Sequence, residues 1–322
     1  MSTLASPLKG NLRELSQGFN RFWFEPSDPH TLAMVRLCGG AMLLYTHLVW
    51  GLELSHFLGP HALVTTDTAL RMSTAVDGSN YTWSYLWYVQ SPLLIGILHW
   101  LGIIPFVALM VGFKTRWFAP ICWVYTMSYC HRLIGLQYGL DQVNAMLATY
   151  FMVSAAPQVL SVDAWLAKRA GHPIKLRDEW TTVALRLIQC HMCVIYFFGG
   201  ISKMRGDDWW DGSAFWFAVA NLEYQSLDLT WLVEFRWFVA GLSMATFFWE
   251  MFYPITVWPM KTRWPTLLMA VMVHGGIALA LGMKTFGMAM IFGNMAFVPA
   301  STMRAFLAKI GIKTDGTEEA HA

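Results

Sequence analysis

Charge is what this chain has little of. Lys and Arg number 22 and Asp and Glu 20, together 13% of 322 residues, about half of the roughly 25% usual in soluble domains. So few charges cannot cover a water-facing surface, which excludes an ordinary soluble protein. The formal net charge of +2 is likewise too small for the cationic field of a nucleic-acid binder. Cysteine is scarce as well: five, an odd number, each inside an apolar run, so no disulfide framework is expected. Cys190 and Cys193 form a CxxC, but they share one helix face in an apolar stretch and read as small core residues. The histidines lack ligand spacing and carboxylates are few, so no metal site is expected. Repeats, low-complexity segments and a secretory signal peptide are not visible, the first thirty residues being polar.

What is there points to a bilayer. Apolar residues make up 56%, and 17 Trp with 11 Tyr suit aromatic belts at two membrane interfaces. About 20 apolar residues cross a bilayer as a helix. Eight runs qualify: 31–53, 91–112, 117–136, 140–160, 181–203, 232–258, 264–282 and 284–303. Only Met283 separates the last two, and a re-entrant hairpin is the alternative there. The expected fold class is all-α, a polytopic integral membrane bundle of about eight transmembrane helices. Residues 1–30 form an N-terminal segment in which 9–24 lie on the surface as an amphipathic helix. Residues 31–305 form the transmembrane domain and 306–322 a tail.

Loop charges set the expected orientation. Lys9, Arg13, Arg21, Lys114, Arg116, Lys168, Arg169, Lys175, Arg177, Lys261, Arg263, Arg304, Lys309 and Lys313 fall on one side, fourteen in all. The alternate connections hold five: Arg71, Arg132, Lys203, Arg205 and Lys284. Both termini are therefore expected in the cytoplasm of a multi-pass cell-membrane protein, a bacterial inner membrane fitting best. The longer outer connections, 54–90 and 204–231, read as caps over that face.

Ionisable residues inside spans are functional suspects. Arg36, Arg186 and Glu250 fall in the inner leaflet, Glu250 about 12 Å from the end of its run at 1.5 Å per residue. An Arg–Glu–Arg cluster there is expected to fix helix register. The outer leaflet gathers His47, His131, Arg132, Asp141, Asn144, Lys203, His274 and Asn294, which predicts a polar, partly enclosed cavity. Lys203 shares a helix face with Gly199, Tyr196 and Met192, within about 40°. Glycines 199 and 200 let a neighbouring helix or a flat ligand come close. Two readings of Lys203 stand: a snorkelling interfacial anchor, or a desolvated amine acting as a base.

The segment "YFFGGISKMRGDDWWDG" (196–212) resembles a stretch of vitamin K-dependent gamma-carboxylases and of the related HTTM (horizontally transferred transmembrane) family. The runs "RFWFEPSDPHTLAMVRLCGGAMLLYTHLVW" (21–50) and "FLGPHALV" (57–64) resemble that family's opening span. Residues 138–167 resemble its Gly-Asp helix, and "HGGIALALGMKTFGMAMIFGNMAFVP" (274–299) its His-led penultimate span. Together the likeness covers essentially residues 20–305. It implies a membrane-integral fold holding reduced vitamin K or menaquinone in the extracytoplasmic leaflet. There a lysine deprotonates the quinol, and oxygen-derived base chemistry carboxylates a peptide glutamate. On that reading Lys203, His274 and Asp141 are catalytic, while Tyr196, Gly199, Gly200 and His131 line the cofactor site. The family's early histidine in the Gly-Asp helix falls near Asp141, and the carboxylases' large domain after the helices has no counterpart in the roughly twenty residues following the last run. The expected partners are the lipid bilayer and a secreted peptide or protein substrate. The alternative is a non-enzymatic membrane accessory or maturation factor that binds a peptide or protein.

Overall fold

A computed structural model describes residues 5–59, 62–77 and 82–312. Lys313 and the rest of the expected tail beyond Ile312 lie outside the described residues. Among these, every element is helical except an isolated bridge between Ser27 and Asp178.

The chain opens with α1 (Ala5–Phe24), which includes the amphipathic segment expected at 9–24. Helix α2 (His30–Leu52) follows, then α3 (Pro92–Leu101) and α4 (Ile103–Val111). Ser91 caps α3 by accepting from the Leu94 N–H, with Pro92 in the first turn where a missing N–H costs nothing. Gly112, at φ 73°, ends α4 in the left-handed region that favours glycine. Next come α5 (Thr115–Arg132) and α6 (Gly139–Phe151). The second half holds α7 (Glu179–Lys203), α8 (Arg236–Thr256), α9 (Met260–Ala280), α10 (Lys284–Asn294) and α11 (Ala300–Lys309).

Each of the apolar runs carries helix, but they are not equal. Among the described residues five helices are long and apolar enough to cross a membrane: α2, α3 with α4, α7, α8 and α9. A sixth results if α10, extended to Phe297, and α11 count as one span bent by 117°. The run 140–160 departs most from expectation. Its helix stops at Phe151 after 13 residues, roughly 20 Å at 1.5 Å each, against a hydrocarbon core of about 30 Å. Pro157 cannot continue it, and Ala156 and Leu160 take φ of 46° and 49°.

That unwound stretch answers to Arg36. The guanidinium is fully buried and donates from Nη1 to the carbonyls of Ala155 and Ala156, each at 3.0 Å, and from Nη2 to Leu160. The expected cluster of Arg36, Glu250 and Arg186 is therefore not formed. Arg36 takes irregular backbone, Arg186 takes the Phe22 carbonyl and Gln189, and Glu250 takes Lys203. Helix depth gives a residue's level, but not which neighbour crosses at that level.

Small residues set the closest crossings. A Cβ on Gly40 would lie 2.9 Å from Met110 Cα, and one on Gly200 3.0 Å from Met251 Cα. α2 thus meets α4, and α7 meets α8, at backbone distance, which favours helix association where lipid offers no hydrophobic drive. Around these crossings Leu32, Leu109, Leu147, Ile188, Met192 and Tyr253 form one continuous core.

The connections sort to two ends. At one, Lys114 N–H donates to Asp163, Thr182 Oγ1 to the Glu25 carbonyl, and Arg304 pairs with Asp28. This is the end carrying the basic turns. At the other, Ser84 Oγ donates to the Ser128 carbonyl and Ser226 N–H to the Ala280 carbonyl. The short helices Asp207–Trp210 and Ala214–Val219 cover α8 there, Ser243 Oγ donating to the Gly212 carbonyl at 2.8 Å.

Candidate acid–base site

Lys203 is the last residue of α7, and its stem folds back along its own helix rather than outward. Nζ donates to Glu250 Oε2 of α8 at 2.6 Å, with 22% of the lysine and 11% of the glutamate side chain exposed. Gly199 makes this possible. A Cβ there would sit 3.1 Å from Glu250 Oε2, so a larger residue would crowd the carboxylate. The ring of Trp209, on the helix Asp207–Trp210, stands 5.0 Å from Nζ on the other side, a cation–π contact that adds to the confinement. Lys203 is thus neither a freely snorkelling anchor nor an isolated neutral amine. It is one half of a close ion pair.

Beneath it, one turn or two toward the core, lies a buried hydrogen-bond chain. Tyr253 Oη donates to Asn294 Oδ1 at 2.6 Å, and Asn294 Nδ2 donates to Tyr196 Oη at 2.7 Å and to the Met290 carbonyl at 2.8 Å. Tyr196 Oη lies 2.7 Å from His274 Nε2. Having accepted from Asn294, the tyrosine has its own proton to give, and Nε2 is the acceptor in reach. This assigns the imidazole proton to Nδ1, an atom buried without a partner. Tyr196, His274 and Asn294 are each no more than 4% exposed. The rings of Tyr196 and Tyr253 pack tilted by 32° with centroids 4.0 Å apart, and Trp249 closes the group at 4.9 Å from Tyr196.

Four helices therefore meet here: α7, α8, α9 and α10. Lys203, Tyr196, Gly199 and His274 come together as expected. Gly200 belongs to the same helix turn, yet its open face is filled by the Met251 backbone. It serves the helix contact, not a flat ligand. Glu250, Tyr253 and Trp209 were not expected at this place; a carboxylate within a lysine's reach across an antiparallel neighbour is invisible to single-helix counting.

Asp141 and His131 lie elsewhere. Asp141 caps the start of α6, accepting from the Tyr138 N–H at 3.0 Å. It lines a narrow cleft of about 30 Å³ with His47, Thr46, Tyr129 and Asn144, room for a water or two. Phe286 stands between the two polar groups: it crowds the Cα of Gly139 and lies 5.9 Å, centroid to centroid, from the His274 ring. His131 bonds the Trp83 backbone at 2.7 Å to the carbonyl and so pins the connection that leads into α3. The single outer cavity expected from sequence is divided by an aromatic wall. Among the described residues no group of three or more His, Cys, Asp or Glu is placed to hold a metal ion.

No protein-family model, no curated protein and no solved structure matches the chain.

Proposed function

We propose that this is a membrane-integral, carboxylase-like enzyme whose Lys203–Glu250 pair is the acid–base centre, in the outer leaflet of a polytopic helical bundle with cytoplasmic termini. The observation that carries the reading is the 2.6 Å Lys203–Glu250 contact placed directly above the Tyr196–His274 chain. A lysine serving only as an interfacial anchor needs neither the carboxylate nor the buried imidazole beneath it. The likeness of residues 196–212 and 274–299 to the vitamin K-dependent carboxylase and HTTM family supports the same assignment, as does the positive-inside balance for the orientation.

Reduced vitamin K or menaquinone fits this group at two points. Lys203 is the part of the cluster open to an incoming hydroxyl, and His274 Nδ1 is a buried donor that lacks an acceptor. When bound, a naphthohydroquinone would supply an acidic phenol and two reducing electrons for oxygen. The chain's own part is to manage one proton. Loss of a proton from the pair to water leaves an amine at Nζ beside the Glu250 carboxylate. Nζ, held 2.6 Å from that carboxylate, takes a proton from an acidic hydroxyl placed next to it, and the ion pair re-forms. Asn294 and Tyr253 hold Tyr196 in register, and Tyr196 fixes the His274 tautomer.

The substrate to be modified is a secreted peptide or protein at the extracytoplasmic face. Oxygen uptake by purified protein supplied with reduced menaquinone tests the assignment. Uptake that Lys203→Ala abolishes supports it. Equal uptake by both proteins refutes it and leaves the non-enzymatic accessory role.

A further inference from the structure

At the opposite, basic end of the bundle lies a second polar cavity of about 210 Å³. It is bounded by Asp28, Thr182, Arg186, Gln189, Arg263 and Phe297 among others. A water needs only about 10–15 Å³ of such space, so a polyatomic group fits. The cavity has two guanidinium groups and a carboxylate that is already committed. Asp28 is bound by the His30 ring at 2.6 Å and by Arg304. Burial pushes its carboxyl up, but the hydrogen bonds from His30 and the charges of His30 and Arg304 outweigh that and hold it below the ordinary value.

Neither Arg186 nor Arg263 has a carboxylate partner among the described residues. Arg186 donates from Nε to the Phe22 carbonyl at 3.1 Å and from Nη1 to Gln189 Oε1 at 2.8 Å. Gln189 is itself turned by donating to the Ala296 carbonyl at 2.7 Å. The guanidinium is clamped over the Phe22 ring at 4.5 Å, with Trp258 at 5.7 Å. Arg263 spends Nε and Nη2 on the carbonyls of Val257 and Trp258. Among the described residues Arg186 Nη2 has no hydrogen-bond acceptor, and Arg263 Nη1 has only the Met260 sulfur at 3.9 Å. Glu25, whose charge also acts on Arg186 from beyond ion-pair range, is exposed to water.

Two rigidly held, like-charged forks facing one cavity repel each other unless an anion lies between them. Arginine's planar donors match phosphate oxygens in pairs. We infer that this cavity binds a phosphate-bearing anion between Arg186 and Arg263, either the headgroup of an anionic phospholipid or a free phosphate. The exposed apolar residues Ile255, Met260 and Trp264 flank the turn that carries Arg263, a surface suited to acyl chains. The site is separate from the Lys203 cluster and does not depend on the function proposed for it.

The test uses the full-length protein, purified and delipidated in detergent. Binding of dioctanoyl phosphatidic acid and of inorganic phosphate is titrated for wild type, Arg186→Gln/Arg263→Gln and Arg186→Lys/Arg263→Lys. Saturable lipid binding, weakened at least tenfold in the glutamine variant and less in the lysine variant, supports the inference with a lipid as source. Inorganic phosphate binding alone, lost in the same order, supports it with a free anion as source. Should the double variant fail to fold, Arg263→Gln alone, in the first turn of α9, is expected to weaken binding at least threefold. Absence of binding by wild type, or equal binding by a folded glutamine variant, overturns it.

Discussion

Breaking the Lys203–Glu250 pair from one side should cost more than removing it altogether. In Glu250→Met the ammonium keeps its burial and loses its counter-charge; in Lys203→Met the carboxylate is stranded instead. Removal of one end of a fully buried pair costs about 3–5 kcal/mol. Here 22% of the lysine and 11% of the glutamate remain exposed, so water recovers part of the loss and about 2–3 kcal/mol is expected for either single change. The double variant Lys203→Met/Glu250→Met replaces two charges by apolar groups of similar length and should cost under about 1 kcal/mol. The cycle therefore closes with a coupling of about 3 kcal/mol or more. Denaturant unfolding of purified protein in a fixed detergent, followed by tryptophan fluorescence, measures all four corners. Additive single and double effects, with coupling below about 0.5 kcal/mol, would show the contact to be energetically idle and the site reasoning wrong.

Three further outcomes follow from the same geometry. Tyr196→Phe strands His274 Nε2 and one Asn294 donor in the core, so it should lower stability by about 1–3 kcal/mol in the same unfolding assay. Gly200→Ala places a methyl 3.0 Å from the Met251 backbone, which cannot yield like a side chain; a loss of about 1–3 kcal/mol is expected, whereas Ala at the open Gly241 should be tolerated. Asp28, whose carboxyl is held below its ordinary value, contributes stability above the unfolded carboxylate pKa of about 3.9 that is lost as pH falls through the lowered folded value. Asp28→Asn should remove that acid-dependent part of the unfolding profile, and an unchanged profile would contradict the Arg304–Asp28–His30 tie.

Long apolar runs made the helices of this fold readable, because a helix is what lets a single segment satisfy its own backbone groups in lipid. The grouping of Lys203, Tyr196, Gly199 and His274 was readable for a related reason: helical periodicity puts the first three on one face. What escaped was contact between helices. Glu250 was assigned to the wrong neighbours because its level was counted along α8 alone, whereas Gly199 and Gly200 draw α8 against α7 and let the lysine stem fold back. Arg36 was expected to need a carboxylate, yet carbonyls freed by the unwinding after Phe151 serve its donors. Pro157 marked that break, but the apolar character of 140–160 concealed it. The division between Asp141 and His274 rests on one ring, Phe286, whose direction no periodicity gives.

The account stands or falls on whether the Lys203 cluster takes a reduced quinone. Anaerobic titration of the purified protein with reduced menaquinone, wild type against Lys203→Ala, measures this directly. Saturable binding by wild type, at least tenfold weaker in the variant, is the predicted result. No saturable binding by wild type, or equal affinity in both, would contradict it.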